Sequence, residues 1–330
     1  MLREIVAWGD MGVIIFFCLS GFLITGILLR MKSTSEHRFA GLKSFYVRRA
    51  LRIAPIYYLT IAIALFMGYA PAISHWFRLA TYTLYVPGLP PTGYLGSFSH
   101  FWSLSIEEQF YLFWPVVILT VPRSHLRKLM LALILASWAY KLSLACCGGS
   151  YTLIFRSVFG CLDPLCLGSL LALECMTILG RSKTLHTFVK AGKLFGVICV
   201  AMTVIRIFTR IDPWYANYLW FGVIYLGVSA IAFTGFIAHS IGASKGLVGW
   251  FLKNPCVVWF GKISYGLYVY HYFMPSILSC LQRTDLFGNL APWRNAGLTV
   301  LLSVVAAALS WFLIERPILH LKRHFQYSSS

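Results

Sequence analysis

Met11-Gly-Val-Ile-Ile-Phe-Phe-Cys-Leu-Ser-Gly-Phe-Leu-Ile-Thr-Gly-Ile-Leu-Leu29 is a run of uncharged, mostly apolar residues, closed by Arg30 and Lys32. A helix rises about 1.5 Å per residue, so this run reaches across most of a hydrocarbon core roughly 30 Å thick. Its positive charges follow it rather than precede it, which is not the layout of a cleavable signal peptide. Working outward, comparable runs recur at 53–70, 101–121, 129–146, 158–179, 194–211, 218–240, 256–279 and 296–315. The expectation is an all-α fold: a polytopic transmembrane helix bundle of about nine spans. Residues 1–330 read as one membrane domain with no linker and no internal repeat.

Composition agrees. The 330 residues are 59% hydrophobic and only 12% charged, against about 25% charged in a typical soluble domain. The net charge of +18 is unevenly placed: nineteen of the 28 Lys and Arg gather in 30–52, 122–128, 181–193, 241–255 and 316–330. Short basic connections mark the cytoplasmic side, which puts the C-terminus in the cytoplasm and Met1 on the outer side. The charge lies on no separate basic domain, which argues against nucleic acid. Basic tracts beside a bilayer instead attract anionic lipid headgroups or the phosphates of a soluble cofactor. The nine Cys show no CxxC or Cys/His metal spacing, so no metal is expected. Pro71 to His100 is aromatic and rich in Pro and Gly, and reads as an outer-face loop or re-entrant segment.

Acidic residues number ten, so those at membrane depth carry information, because an ionisable group in hydrocarbon needs a partner or a wet cavity. Ser103, Glu107, Tyr111 and Trp114 fall on one helical face, a carboxylate with a hydroxyl a turn to either side. Spacing leaves two readings open: a site that orients a base or binds a hydroxylated group, or a structural Glu paired with a basic residue. Arg48, Arg49 and Arg52 converge on one helical face and suit either a phosphate clamp or a plain positive-inside anchor. His271 lies mid-span with Ser264 and Tyr268 at helical spacing, suited to a base, a relay or a helix–helix hydrogen bond. Asp163 and Glu315 read as structural, the latter marking a helix exit.

Four stretches together resemble the acyltransferase-3 family of membrane O-acyltransferases: Gly12 to Ile24, Phe45 to Pro55, Phe101 to Pro115 and Gly261 to His271. Glu315-Arg316-Pro317 also fits. The resemblance implies a ten-helix domain in a bacterial inner membrane, passing an acyl group, usually acetyl, from cytoplasmic acyl-CoA to a surface glycan hydroxyl. It implies CoA-phosphate contacts at Arg49 and Arg52 beside Arg48, and a functional Ser-Leu-x-x-Glu element at Ser103 to Glu107, with Glu107 catalytic. Trp102, Ser103, Tyr111 and His271 are then expected at the acceptor site. Two departures stand out. Ile14 occupies a position where the family usually has Asp, and the family's first helix, with Arg or Lys and a catalytic His, has no counterpart before Met1. On that reading, a chain that lacks this helix is expected to show no turnover. The alternative is a non-catalytic component of polysaccharide assembly or export, or a degenerate remnant.

Overall fold

The computed structural model describes residues 2–33, 38–84, 95–176, 181–209, 219–242, 246–283 and 291–325, and every regular element among them is helical. In chain order these are α1 (Leu2–Ser33), α2 (Arg38–Phe66), α3 (Ala70–Ala80), α4 (Trp102–Thr120), α5 (Arg123–Cys146), α6 (Tyr151–Phe155) and α7 (Leu162–Cys175). They continue with α8 (Arg181–Thr209), α9 (Leu219–Gly242), α10 (Leu247–Lys253), α11 (Pro255–Tyr270), α12 (Met274–Arg283), α13 (Pro292–Ser310) and α14 (Arg316–His320).

Helices underlie all nine expected spans. Among the described residues, six stretches are long and apolar enough to cross a membrane: Met11–Ser33, Gly41–Phe66, Arg123–Cys146, Lys183–Thr209, Phe221–Gly242 and Trp293–His324. The other three expected spans differ for identifiable reasons. In α4, Glu107, Glu108 and Gln109 lower the hydropathy of an otherwise apolar helix. With 14 residues, α7 extends about 21 Å, short of a hydrocarbon core. The expected span 256–279 is two helices, because a turn at 271–273 separates α11 from α12. Pro275 lies in the first turn of α12, where its missing N–H leaves no helix hydrogen bond unmade.

The chain divides into two compact units. The first holds α1 and α4 to α9, and its core gathers Ile14, Cys18, Phe155, Leu171, Phe221 and Leu226. Here α1 packs against α4, α7 and α9, and α8 against α9. Glycine sets the closest approaches. A Cβ on Gly21 would run into the Leu165 carbonyl, and one on Gly168 into the Cys18 carbonyl. Gly192 on α8 and Gly235 on α9 face each other in the same way, the small-residue contact by which membrane helices approach.

The second unit holds α2, α3, the 3₁₀ turn 96–101 and α11 to α14, with α10 from Gly249 on. Tyr57 is fully buried, stacks on Tyr82 at 4.5 Å and donates to the Leu79 carbonyl at 2.7 Å. Within Pro71 to His100, expected as a loop or re-entrant segment, the structure has a helix, α3, and the 3₁₀ turn. Pro71 sits in the first turn of α3, where its fixed φ favours helix initiation. One face of α3 buries Ala72 and Leu79 while Ile73, Trp76 and Phe77 stay exposed. Residues 85–94, which hold the Pro and Gly cluster of that expectation, lie outside the described residues.

The expected helix exit at Glu315 is corrected too. From α13 the chain passes through a π-helical turn, Trp311–Glu315, directly into α14 and a 3₁₀ turn at Leu321–His324. The wider π turn brings residues five apart onto one face, where Ser310 Oγ donates to Glu315 Oε1 at 3.0 Å.

Two glycines of α1 give a direct test. Gly21→Ala should destabilise the detergent-solubilised protein by about 1–3 kcal/mol, the usual cost of overpacking a tight contact. Gly26→Ala, where nothing lies within 4 Å of the added carbon, should not. Thermal unfolding of the two variants side by side checks this.

Candidate functional site

In the first unit α4 carries its polar residues inward: Ser103, Ser105 and Glu107 are each at most 2% exposed. Glu107 Oε1 accepts hydrogen bonds from Ser20 Oγ of α1 and from Tyr111 OH, one turn along α4. Tyr111 OH also lies 3.1 Å from Ser20 Oγ, closing a triangle of carboxylate, phenol and hydroxyl. The helical spacing of Ser103, Glu107 and Tyr111 therefore does bring carboxylate and phenol together. Ser103 is buried a turn before Glu107.

A turn further along, Trp114 Nε1 donates to Thr25 Oγ1 and Thr25 donates to Ser169 Oγ, each at 2.8 Å. Lys32 closes this side by donating to the Ile118 carbonyl at 2.7 Å and to that of Val121. A Lys at this point satisfies carbonyls that the end of α4 leaves open, just before Pro122. The register of α1 against α4 is thus set at both ends of Glu107's helix.

Three more residues belong to this unit and were not singled out by the sequence. Lys141 of α5 bonds both carboxylate oxygens of Asp163 at 2.8 Å, and Ser137 donates to Asp163 at 3.0 Å. The pair is almost fully buried, at 2% and 1% side-chain exposure. It lines a cleft with Val13, Trp102, Tyr151 and Phe155. The Arg156 guanidinium lies over the rings of Trp102, at 5.6 Å, and Tyr151, at 5.2 Å, within cation–π reach. The structural reading of Asp163 agrees with its pairing. Its partner was hidden because a lone Lys within an apolar helix carries no spacing signal.

The remaining predicted residues lie in the second unit. Arg48, Arg49 and Arg52 are on α2; Arg48 and Arg49 are half-buried and Arg52 is exposed. Arg48 Nη1 donates to the carbonyls of Lys322, at 3.0 Å, and Phe325, at 3.1 Å. Arg49 lies 6.0 Å from the centre of the Phe45 ring. Arg52 interacts electrostatically with Glu315. His271 sits at the C-terminal cap of α11, with Nδ1 2.7 Å from the Tyr268 carbonyl. Its ring is 5.1 Å from that of His100. His100 is buried, 3.2 Å from the Val269 carbonyl through Nε2, and stacked on Tyr272. Burial first, then the neighbouring His271, pushes the pKa of His100 down to about 3, so it stays neutral across physiological pH.

A multi-pass helical membrane protein with a hydroxyl-bonded carboxylate on one helix and an Arg-x-x-Arg face on another is the class that these features define. A family model described as an acyltransferase domain matches residues 1–315, and the chain belongs to that acyltransferase-3 family. Among curated relatives, "Putative peptidoglycan O-acetyltransferase YrhL" of Bacillus subtilis is 28% identical over 94% of this chain and 50% of its own length. "Peptidoglycan O-acetyltransferase OatA" of Listeria monocytogenes is 27% identical over 94% and 51%. "Putative O-acetyltransferase SACOL0978" of Staphylococcus aureus is 25% identical over 96% and 53%. The chain thus spans about half the length of these relatives. No solved structure matches it.

The buried ion pair makes a prediction of its own. Lys141→Met alone leaves Asp163 uncompensated and should cost about 3–5 kcal/mol, whereas Lys141→Met with Asp163→Leu should recover most of that. Thermal unfolding of the single and double variants reads the difference.

Proposed function

We propose that this chain is the membrane-embedded transferase of an O-acetylation system. It takes an acyl group, acetyl first among candidates, from acyl-CoA at the cytoplasmic face of a bacterial inner membrane and delivers it to a glycan hydroxyl at the cell surface. The C-terminus lies on the cytoplasmic side in this reading, as the placement of Lys and Arg favours. Peptidoglycan is the favoured acceptor, since two of the relatives carry it in their names. Arg49 and Arg52 bind the phosphates of CoA, a task for which paired guanidinium groups are well shaped.

The observation that carries the proposal is the Glu107–Tyr111–Ser20 triangle. Acyl transfer to an alcohol forms a bond between the hydroxyl oxygen and the thioester carbonyl carbon and breaks the carbon–sulfur bond. The hydroxyl proton leaves as the new bond forms. Glu107 takes it and returns it to the departing CoA sulfur. A base must be held within hydrogen-bond reach of the proton that it removes, and the two hydroxyls fix the orientation of the carboxylate for that task. Trp102, Ser103 and Tyr111 shape the acceptor side of the same helix.

Glu107→Gln keeps the size of the side chain and removes the base. It should lower ester-linked acetate on the wall glycan of expressing cells by about 100-fold or more. Tyr111→Phe should lower it less, and both variants should reach the membrane at wild-type levels. Wild-type ester content with Glu107→Gln would remove Glu107 from the reaction.

A further inference from the structure

Residues 316–325 lie beyond the family match. The 3₁₀ turn Leu321–His324 carries Lys322, Arg323 and His324, and Lys322 is half-buried in the second unit. Its ammonium group feels the positive charges of Arg52, Arg49 and Arg48 together. Four cations are gathered here from two segments 270 residues apart, and Glu315 bears on Arg52. Holding like charges close at a partly desolvated surface is unfavourable, and a multivalent anion relieves it. The geometry says why Lys322 is held there. Arg48 Nη1 grips the carbonyls of Lys322 and Phe325 at 3.0 and 3.1 Å, and the Phe325 amide donates back to the Lys322 carbonyl at 3.1 Å. One guanidinium thereby pins the turn to α2.

We propose that Lys322 is a direct contact for an organic phosphate, completing the site formed by Arg49 and Arg52. Arg48 is its positioning residue, binding the protein's own carbonyls so that Lys322 faces the same anion. This rests on the reading of acyl-CoA as donor, and it extends the phosphate site past residue 315, where the family match ends. The shared chemistry is a phosphate group. The donor's diphosphate and an anionic lipid headgroup both offer it, and the donor is the occupant proposed.

The test is CoA binding to the full chain in zwitterionic micelles, titrated at two salt concentrations. Lys322→Gln should weaken binding about tenfold and flatten the salt dependence, and Lys322→Arg should restore both. Arg48→Gln should weaken binding to a similar degree. The Arg48→Gln/Lys322→Gln double variant should be no weaker than either single, because Arg48 acts through Lys322. Unchanged CoA binding in Lys322→Gln overturns the proposal, and so does a loss seen only as weaker retention of anionic lipid. If the wild-type chain itself does not bind CoA, the donor reading fails, and this proposal with it. That outcome differs from a wild type that binds beside a Lys322→Gln variant that binds equally well.

Discussion

Thr25 joins three helices through one hydroxyl, accepting from Trp114 of α4 and donating to Ser169 of α7. Ser169 in turn bonds back to the Gly21 carbonyl of α1 at 3.3 Å. In hydrocarbon no water is available to satisfy these groups, so each must find its partner inside the bundle. That requirement fixes how α1 slides and turns between α4 and α7. Gly21 and Gly168 let the backbones come close enough for the bonds to form. Ser20 is the neighbour of Gly21, so the packing that closes α1 onto α7 also delivers Ser20 to Glu107. The carboxylate at the centre of the proposed chemistry is oriented by the same contacts that hold the unit together.

The second unit follows another rule. Its informative groups are cations, three of them within five residues of α2. Arg48 is committed to backbone carbonyls and Arg52 bears on Glu315. The π turn at 311–315 places Glu315 beside Ser310, and Tyr270 reaches Ser310 at 3.2 Å. Buried Glu315 is therefore held by the Ser310 hydroxyl, which Tyr270 bonds in turn, and it interacts electrostatically with Arg52. A charge removed from water is tolerated when it is bonded in this way, and costly when it is not.

Much of this was legible in residue order. Apolar runs located every helix expected to span, because hydropathy is summed over some twenty residues and tolerates a few exceptions. The Ser103, Glu107 and Tyr111 face was legible because helical period is a local property. Partners were not. Ser20 lies 87 residues from Glu107, and Lys141 lies 22 from Asp163, distances at which a periodic pattern says nothing. The break after α11 falls inside a continuous apolar run, which hydropathy alone reads as a single span. Arg48 was grouped with its neighbours by spacing alone, and only its bonds to the C-terminal carbonyls separate its role from theirs.

The most direct measurement places the chain in sealed proteoliposomes and supplies acetyl-labelled CoA on the face that carries Arg49 and Arg52, with a soluble glycan acceptor on the other. The account predicts labelled ester on the acceptor, released by mild base, and none when the labelled donor is given on the acceptor's side. Label that appears equally from either side, or a donor whose acetyl group never reaches the acceptor, would contradict it.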